Sequence, residues 1–319
     1  MDFSRELDHL RELNLLRRIT THSSAGLGEL EIRGTRLINF GSNDYLGLSS
    51  HPDLVAQGQA ALKMFGVGAT ASRLVVGTRE PHERLERTLA EFKGAESALS
   101  FSSGYATATG VIPALVGPED IVIADRLSHA CLVDGIRLSR AVLRVFPHNH
   151  MGRLESLLSW ARHQHKGAKI LIVTESIFSM DGDEAPLAEI IELKERFEAF
   201  LLVDEAHGVG VTGPEGQGVA ARLGLSDRVD LHMGTLSKAV GVSGGYVASS
   251  RECIQLLMNR ARSFIFSTAV PPAIAEMAVA GIGLVRGPVG ENAREHLREL
   301  IRLVEGRLPQ RFQRSPSSS

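Results

Sequence analysis

The stretch AFLLVDEAHGVGVTG, residues 199–213, places an apolar run, a terminal carboxylate and three glycines in immediate succession. Phe200 to Val203 carries no polar residue, which reads as a strand buried on both faces. Asp204 is where that strand would emerge, and Gly208, Gly210 and Gly213 read as turn residues. Immediately before it stands PLAEIIELKERFE (186–198), with apolar residues at three- and four-residue spacing, and before that another apolar run, KILIVTE (169–175). Strand, helix, strand is the grammar of a βαβ unit. The same beat recurs on both sides. SALSF (97–101), DIVIA (120–124), AVLRVF (141–146), VDLHMG (229–234) and GGYVAS (244–249) read as strands. HPDLVAQGQAALKMF (51–65), PHERLERTLAEFKG (81–94), HACLVDGIRLSRA (129–141) and RLESLLSWARHQ (153–164) read as the helices between them. The expected fold class is therefore α/β, a mainly parallel central sheet flanked by helices, with ligand chemistry at the carboxyl ends of the strands. A helix is expected at about residues 2–18, a last pair at 271–286 and 292–306, and an unstructured tail, RLPQRFQRSPSSS.

The composition sets bounds on function. With 319 residues, 43% hydrophobic and 23% charged, the chain can bury a large core. Lys and Arg total 35 against 37 Asp and Glu, a net charge of -2, so neither a nucleic acid nor a membrane is an expected partner. No apolar run approaches the roughly 18 residues that cross a bilayer. The two cysteines, Cys131 and Cys253, form no CxxC pair, which suits a reducing cytosol.

Two misleading spellings can be set aside. Asp204-Glu205-Ala206-His207 spells a helicase DEAH box, but no Gly-Lys-Ser or Gly-Lys-Thr exists to cradle a nucleotide. Gly208, Gly210 and Gly213 satisfy GxGxxG, but PEGQG follows instead of a helix, so no helix N-terminus is offered to a pyrophosphate. His148 and His150, and His163 and His165, are two apart and read as a solvated face, with no metal site expected. Trp160 reads as a packing residue, and residues 295–307 as an amphipathic helix face.

The chemistry is expected at the strand ends. Lys238 lies among Thr235, Ser237 and small residues directly after an apolar run, the setting of a Schiff-base lysine. Asp204 and His207, three apart across a tight turn, can reach one ligand, the aspartate opposite a protonated pyridine nitrogen. Gly104 and Tyr105 open a helical segment after a strand and offer N–H groups to a phosphate. His129 likewise opens a helix, where it could lie flat on a ring.

Taken in order, SNDYLGL (42–48), SGY (103–105), DRLSHA (125–130), FSMDGD (178–183), VDEAHGVG (203–210) and GTLSKAVG (234–241) resemble the α-oxoamine synthases. The resemblance runs from about residue 15 to about residue 300. It implies the fold type I of transferases dependent on pyridoxal 5'-phosphate (PLP), with an N-terminal helical arm (1–50), a large PLP-binding domain (51–285) and the start of a C-terminal domain (286–319). Chains of this family continue for about seventy more residues, so the C-terminal domain is expected to be truncated here and the arginine that grips the substrate carboxylate has no counterpart.

The resemblance also implies roles. Lys238 is the lysine that carries the cofactor, Asp204 pairs with the pyridine nitrogen, His207 meets the ring 3'-oxygen and His129 stacks on the ring, which makes Lys238, His129 and Asp204 the catalytic set. Gly104, Tyr105, Ser179 and Thr235 complete the cofactor site. Arg17, Asn43 and His129 match substrate-contacting positions. A homodimer with a shared active site is implied, Ser267 and Thr268 meeting the partner's cofactor phosphate. The implied reaction joins L-alanine to a pimeloyl thioester, of CoA or of an acyl-carrier protein, with loss of carbon dioxide. A member acting on glycine and a non-catalytic chain of the same fold are the alternatives.

Overall fold

The computed structural model describes residues 2–26 and 28–307. The chain divides after Ser42 into two units. The first opens with α1 (Phe3–Glu12), capped by Asp2, and continues as an antiparallel sheet of β1 (Ser23–Gly26), β2 (Glu29–Ile32) and β3 (Thr35–Ile38). The opening helix is shorter than its sequence pattern: Asn14 takes a left-handed conformation, φ 55°, which terminates it.

In chain order, the second unit carries α2 (Pro52–Phe65), α3 (Glu80–Lys93), β4 (Ser97–Phe101), α4 (Gly104–Leu115), β5 (Ile121–Asp125), α5 (Ala130–Ser139), β6 (Val142–Phe146), α6 (Met151–Gln164), β7 (Ile170–Glu175) and α7 (Leu187–Arg196). There follow β8 (Phe200–Asp204), α8 (Val219–Arg222), β9 (Leu231–Thr235), β10 (Gly245–Ser249), α9 (Arg251–Arg260), α10 (Arg262–Ile265), α11 (Pro272–Arg286) and α12 (Pro288–Arg307). Every apolar run read as a strand forms one, within two residues at either end. The expected tail, from residue 308 on, lies outside the described residues.

These strands make a seven-stranded sheet in the order β4-β10-β9-β8-β7-β5-β6. It is parallel from β9 through β6, and β10 alone runs antiparallel to its two neighbours, β4 and β9. The two-residue period of a strand divides the core. Val122, Ala124, Leu171, Val173 and Leu202 pack with Val111 and Ile112 of α4 and Leu132 and Ile136 of α5. Their alternates Ile121, Ile123, Ile170, Ile172, Leu201 and Val203 pack with Leu154 and Leu158 of α6 and Ile190 and Ile191 of α7. A third cluster joins α2, α3 and α11 through Leu54, Leu85, Leu89, Ala278 and Ile282 to Ala98, Tyr246 and Ala248 of the sheet edge. With both faces covered, only the strand ends are left for polar chemistry.

One sequence expectation needs correction. His148 is not on a solvated helix face, because α6 begins only at Met151 and the preceding turn folds back over the end of β5. Its Nδ1 lies 3.0 Å from Asp125 Oδ1 and its Nε2 2.7 Å from Asp183 Oδ2, with the ring edge-on to Phe178. His150 caps α6, accepting the Arg153 N–H at 3.0 Å.

Candidate active site

The carboxyl ends of β5, β7, β8 and β9 bring the segments singled out in the sequence to one rim of the sheet. Glu175 and Asp204 end β7 and β8 as register partners. Both are buried, so two carboxylates share a place with little water. Burial, then the charge of Asp204, pushes Glu175 up to about 8. Burial likewise raises Asp204, against the pull of the Ala206 N–H and of the Lys238 and His129 charges. The Asp204 Oδ1 accepts the Ala206 N–H at 2.9 Å. Its other oxygen has no hydrogen-bond partner among the described residues.

Beyond β9 the chain turns so that Lys238 Nζ lies 2.6 Å from Nε2 of His207. Burial lowers the proton affinity of Lys238, with Asp204 and Glu175 opposing. His207 falls to about 4, through burial and the Lys238 and His129 charges, so its ring is neutral at ordinary pH. On the far side of that ring, the Tyr45 hydroxyl sits 2.7 Å from Nδ1 and also donates to Asn43 Oδ1 at 3.2 Å. Gly210, with φ +81°, makes this assembly possible: a Cβ there would stand 2.4 Å from Cβ of Ala239, next to the lysine.

The N-terminus of α4 closes the rim. Ser103 caps it, its Oγ taking the Ala106 N–H at 3.0 Å, which leaves the Gly104 and Tyr105 N–H groups without protein partners among the described residues. Thr235, at the end of β9, holds Ser237 Oγ at 2.8 Å and Gly244 O at 2.9 Å. Gly245 pairs with both Thr235 and Phe101, and a Cβ on it would lie 2.4 Å from the Ser103 carbonyl carbon. Glycine there lets the helix start against the strand ends. His129 caps α5, and its N–H donates to Glu175 Oε1 at 2.6 Å. Ser179 is exposed in the turn after β7, and its backbone also stabilises the Glu175 charge.

Lys238, His207, Asp204, His129, Gly104, Tyr105, Thr235, Ser179 and Asn43 all belong to the second unit. Tyr105 is half exposed, and its hydroxyl donates to Asp134 Oδ2 at 2.7 Å, so the backbone of this residue, not its ring, is the free donor. Arg17 belongs to the first unit, exposed and outside regular structure. Ser267 and Thr268 lie between α10 and α11, Thr268 forming a bridge with Ser72. Tyr45, Glu175 and Cys131 are site residues that sequence reasoning gave no role. Tyr45 and Glu175 stand inside quoted motifs, but their partners are 162 and 46 residues away.

The donor set fits PLP. The second oxygen of the Asp204 carboxylate suits a ring N–H⁺, a lysine of lowered proton affinity suits attachment through its amine, and free helix N–H groups beside hydroxyls suit a phosphate.

The sequence matches the model of the family "Aminotransferase class I and II" over residues 35–312. It is 49% identical over 293 residues to the 8-amino-7-oxononanoate synthase of Geobacter sulfurreducens, covering 92% of this chain and 74% of that protein. Among solved structures it is similar to serine palmitoyltransferase from S. paucimobilis with a bound PLP-myriocin aldimine, at TM-score 0.87 and 32% identity, over 95% of this chain and 78% of that one. It is also similar to 8-amino-7-oxononanoate synthase from Francisella tularensis, at TM-score 0.71 and 27% identity, over 84% and 74% of the two chains. With its parallel sheet and strand-end lysine, the chain belongs to the aminotransferase class I and II family, in the fold type I architecture of the α-oxoamine synthases.

Proposed function

We propose that this chain binds PLP and condenses L-alanine with a pimeloyl thioester, of CoA or of an acyl-carrier protein, giving 8-amino-7-oxononanoate, carbon dioxide and a free thiol, a step of biotin biosynthesis. The observation that carries the reading is the pairing of Lys238 with a neutral His207 beside the Asp204 and Glu175 strand ends. The likeness to synthases of the same name supports the choice of substrates.

When bound, PLP supplies an electron-withdrawing ring that lets a bond to the amino acid's α-carbon break and leave its electrons behind. The residues do the rest. Asp204, buried at the end of β8, would hold the proton of the ring nitrogen in place. The free N–H groups of Gly104 and Tyr105, with Thr235 and Ser237, hold the phosphate at the α4 N-terminus. Lys238 is the attachment point and, as an amine with lowered proton affinity, takes the α-proton. His207, steadied by Tyr45, orients that amine and meets the 3'-oxygen, while His129 lies on the ring. Ser179 joins the cofactor shell, and Asn43 meets the substrates.

The protein works as a homodimer in this reading, with Ser267 and Thr268 reaching the partner's phosphate. The exposed run Leu74, Val75 and Val76 supplies apolar surface for it. We assign 51–285 to the cofactor domain, 1–50 to an arm and 286–319 to the opening of a C-terminal domain. We assign the protein to the cytoplasm; among the described residues no single helix is long and apolar enough to cross a membrane.

The test is mass-spectrometric detection of 8-amino-7-oxononanoate after incubation with PLP, L-alanine and pimeloyl-CoA. Formation with L-alanine, and not of the shorter aminoketone with glycine, supports the reading; preferential use of glycine overturns the choice of amino acid.

A further inference from the structure

The ring of His129 is held by the first turn of the helix it caps. Its Nδ1 accepts the backbone N–H of Cys131 at 3.2 Å and lies 3.0 Å from Cys131 Sγ. An amide N–H can only donate, so Nδ1 presents its lone pair. Burial, then the charges of Asp204 and Glu175, pushes the Cys131 thiol up to about 12, so the sulfur keeps its hydrogen and offers a second donor to the same lone pair. In a neutral imidazole the proton then sits on Nε2. That atom has no hydrogen-bond partner among the described residues. A proton on Nδ1 would face the backbone N–H and the thiol hydrogen together, so the two donors share the work of excluding it.

The main chain of His129 is fixed independently by Glu175 Oε1, 2.6 Å from its N–H. Glu175 is the register partner of Asp204, which places His129 among the groups of the active site.

We propose that Cys131 is a positioning residue, which with its backbone N–H and its thiol locks His129 in the Nε2–H tautomer, so that the ring meets the ligand as a hydrogen-bond donor and not as a base. The identity of that ligand, an oxygen of the amino acid or of the thioester, rests on the proposed function; the tautomer does not. A residue that merely filled space could be exchanged for alanine without moving the proton.

The experiment is ¹⁵N spectroscopy of the histidine rings in the PLP-loaded full chain, the His129 signals identified by their loss in His129→Gln. The wild-type ring is expected to show an unprotonated Nδ1 and a protonated Nε2. Cys131→Ser keeps both signals. Cys131→Ala, which keeps the backbone N–H but loses the thiol donor, moves them part of the way toward the average of two tautomers and lowers kcat severalfold at unchanged KM for L-alanine, and Cys131→Ser restores kcat. A protonated Nδ1 in the wild type, or wild-type ring signals in Cys131→Ala whatever its kcat, overturns the proposal. Failure of every variant and the wild type to retain PLP counts against the proposed function instead, and the same spectra of the cofactor-free chain then decide the tautomer.

Discussion

Lys238 Nζ lies 2.6 Å from Nε2 of His207, and the two residues stand 31 positions apart on turns that follow neighbouring parallel strands. Lowered proton affinity on both sides of this contact has burial at a sheet rim as its leading cause, to which the Lys238 and His129 charges add at His207. The amine is thus kept reactive by its surroundings, while the charges of Asp204 and Glu175 oppose that lowering.

Asp204→Asn removes the charge that holds the ring-nitrogen proton but preserves shape. PLP should remain bound, since the α4 N-terminus is untouched, and turnover should fall by roughly 10²-fold or more. Parallel measurement of PLP content and kcat checks this; an Asn variant of wild-type kcat would remove the charge from the account.

Gly245→Ala tests the closeness of the phosphate-binding turn. The added Cβ would stand 2.5 Å from the Gly104 backbone nitrogen, so the start of α4 has to move. Affinity for PLP should weaken by about tenfold or more, an effect of at least ~1.4 kcal/mol. Equilibrium dialysis of PLP reads it, and unaltered affinity would mean that those N–H groups do not hold the phosphate.

Lys93 and Glu205 form an ion pair with both side chains buried, and Glu205, adjacent to Asp204, also accepts the Ala220 N–H at 3.1 Å. Lys93 further donates to the Gln217 carbonyl, tying α3 to the loop that follows the catalytic strand. Lys93→Met removes the lysine partner of a buried carboxylate, leaving it the Ala220 N–H and His232 Nδ1 at 3.8 Å, and should destabilise the protein by about 3–5 kcal/mol. Adding Glu205→Gln should recover much of that loss. Urea unfolding of the single and double variants measures it, and a single variant of wild-type stability would contradict the assignment.

His148 makes stability depend on pH. Burial disfavours its charged form, but hydrogen bonds and charges from Asp125 and Asp183 outweigh burial and raise its pKa above the ordinary value. Because the folded pKa exceeds the unfolded one, its contribution is full below about pH 6.5 and is lost as pH rises through the folded pKa. Melting temperatures of the wild type and His148→Asn, compared from pH 5.5 to 9, should converge toward the alkaline end. A gap that widens with pH would reverse the sign and refute the bridge.

The main sheet was legible because its strands are short apolar runs set between helical periods, as at Ile170–Glu175 and Phe200–Asp204. The reversal of β10 was not, since a buried strand such as Gly245–Ser249 looks alike in either direction. The small sheet of the first unit escaped notice because Thr35–Ile38 is wholly exposed and carries no alternation of polar and apolar residues. Lys238, Asp204 and His207 were legible from their place just beyond apolar runs. Tyr45, Glu175 and His148 were not, since each owes its role to contacts that only the fold creates.

The most direct measurement is the visible spectrum of the purified chain loaded with PLP and dialysed, beside Lys238→Ala. The account predicts a PLP band that survives dialysis in the wild type and responds to L-alanine, and its loss together with turnover in the variant. A variant that keeps the dialysis-resistant band, or that still makes product at the wild-type rate, would contradict the claim that Lys238 is the residue on which the site is built.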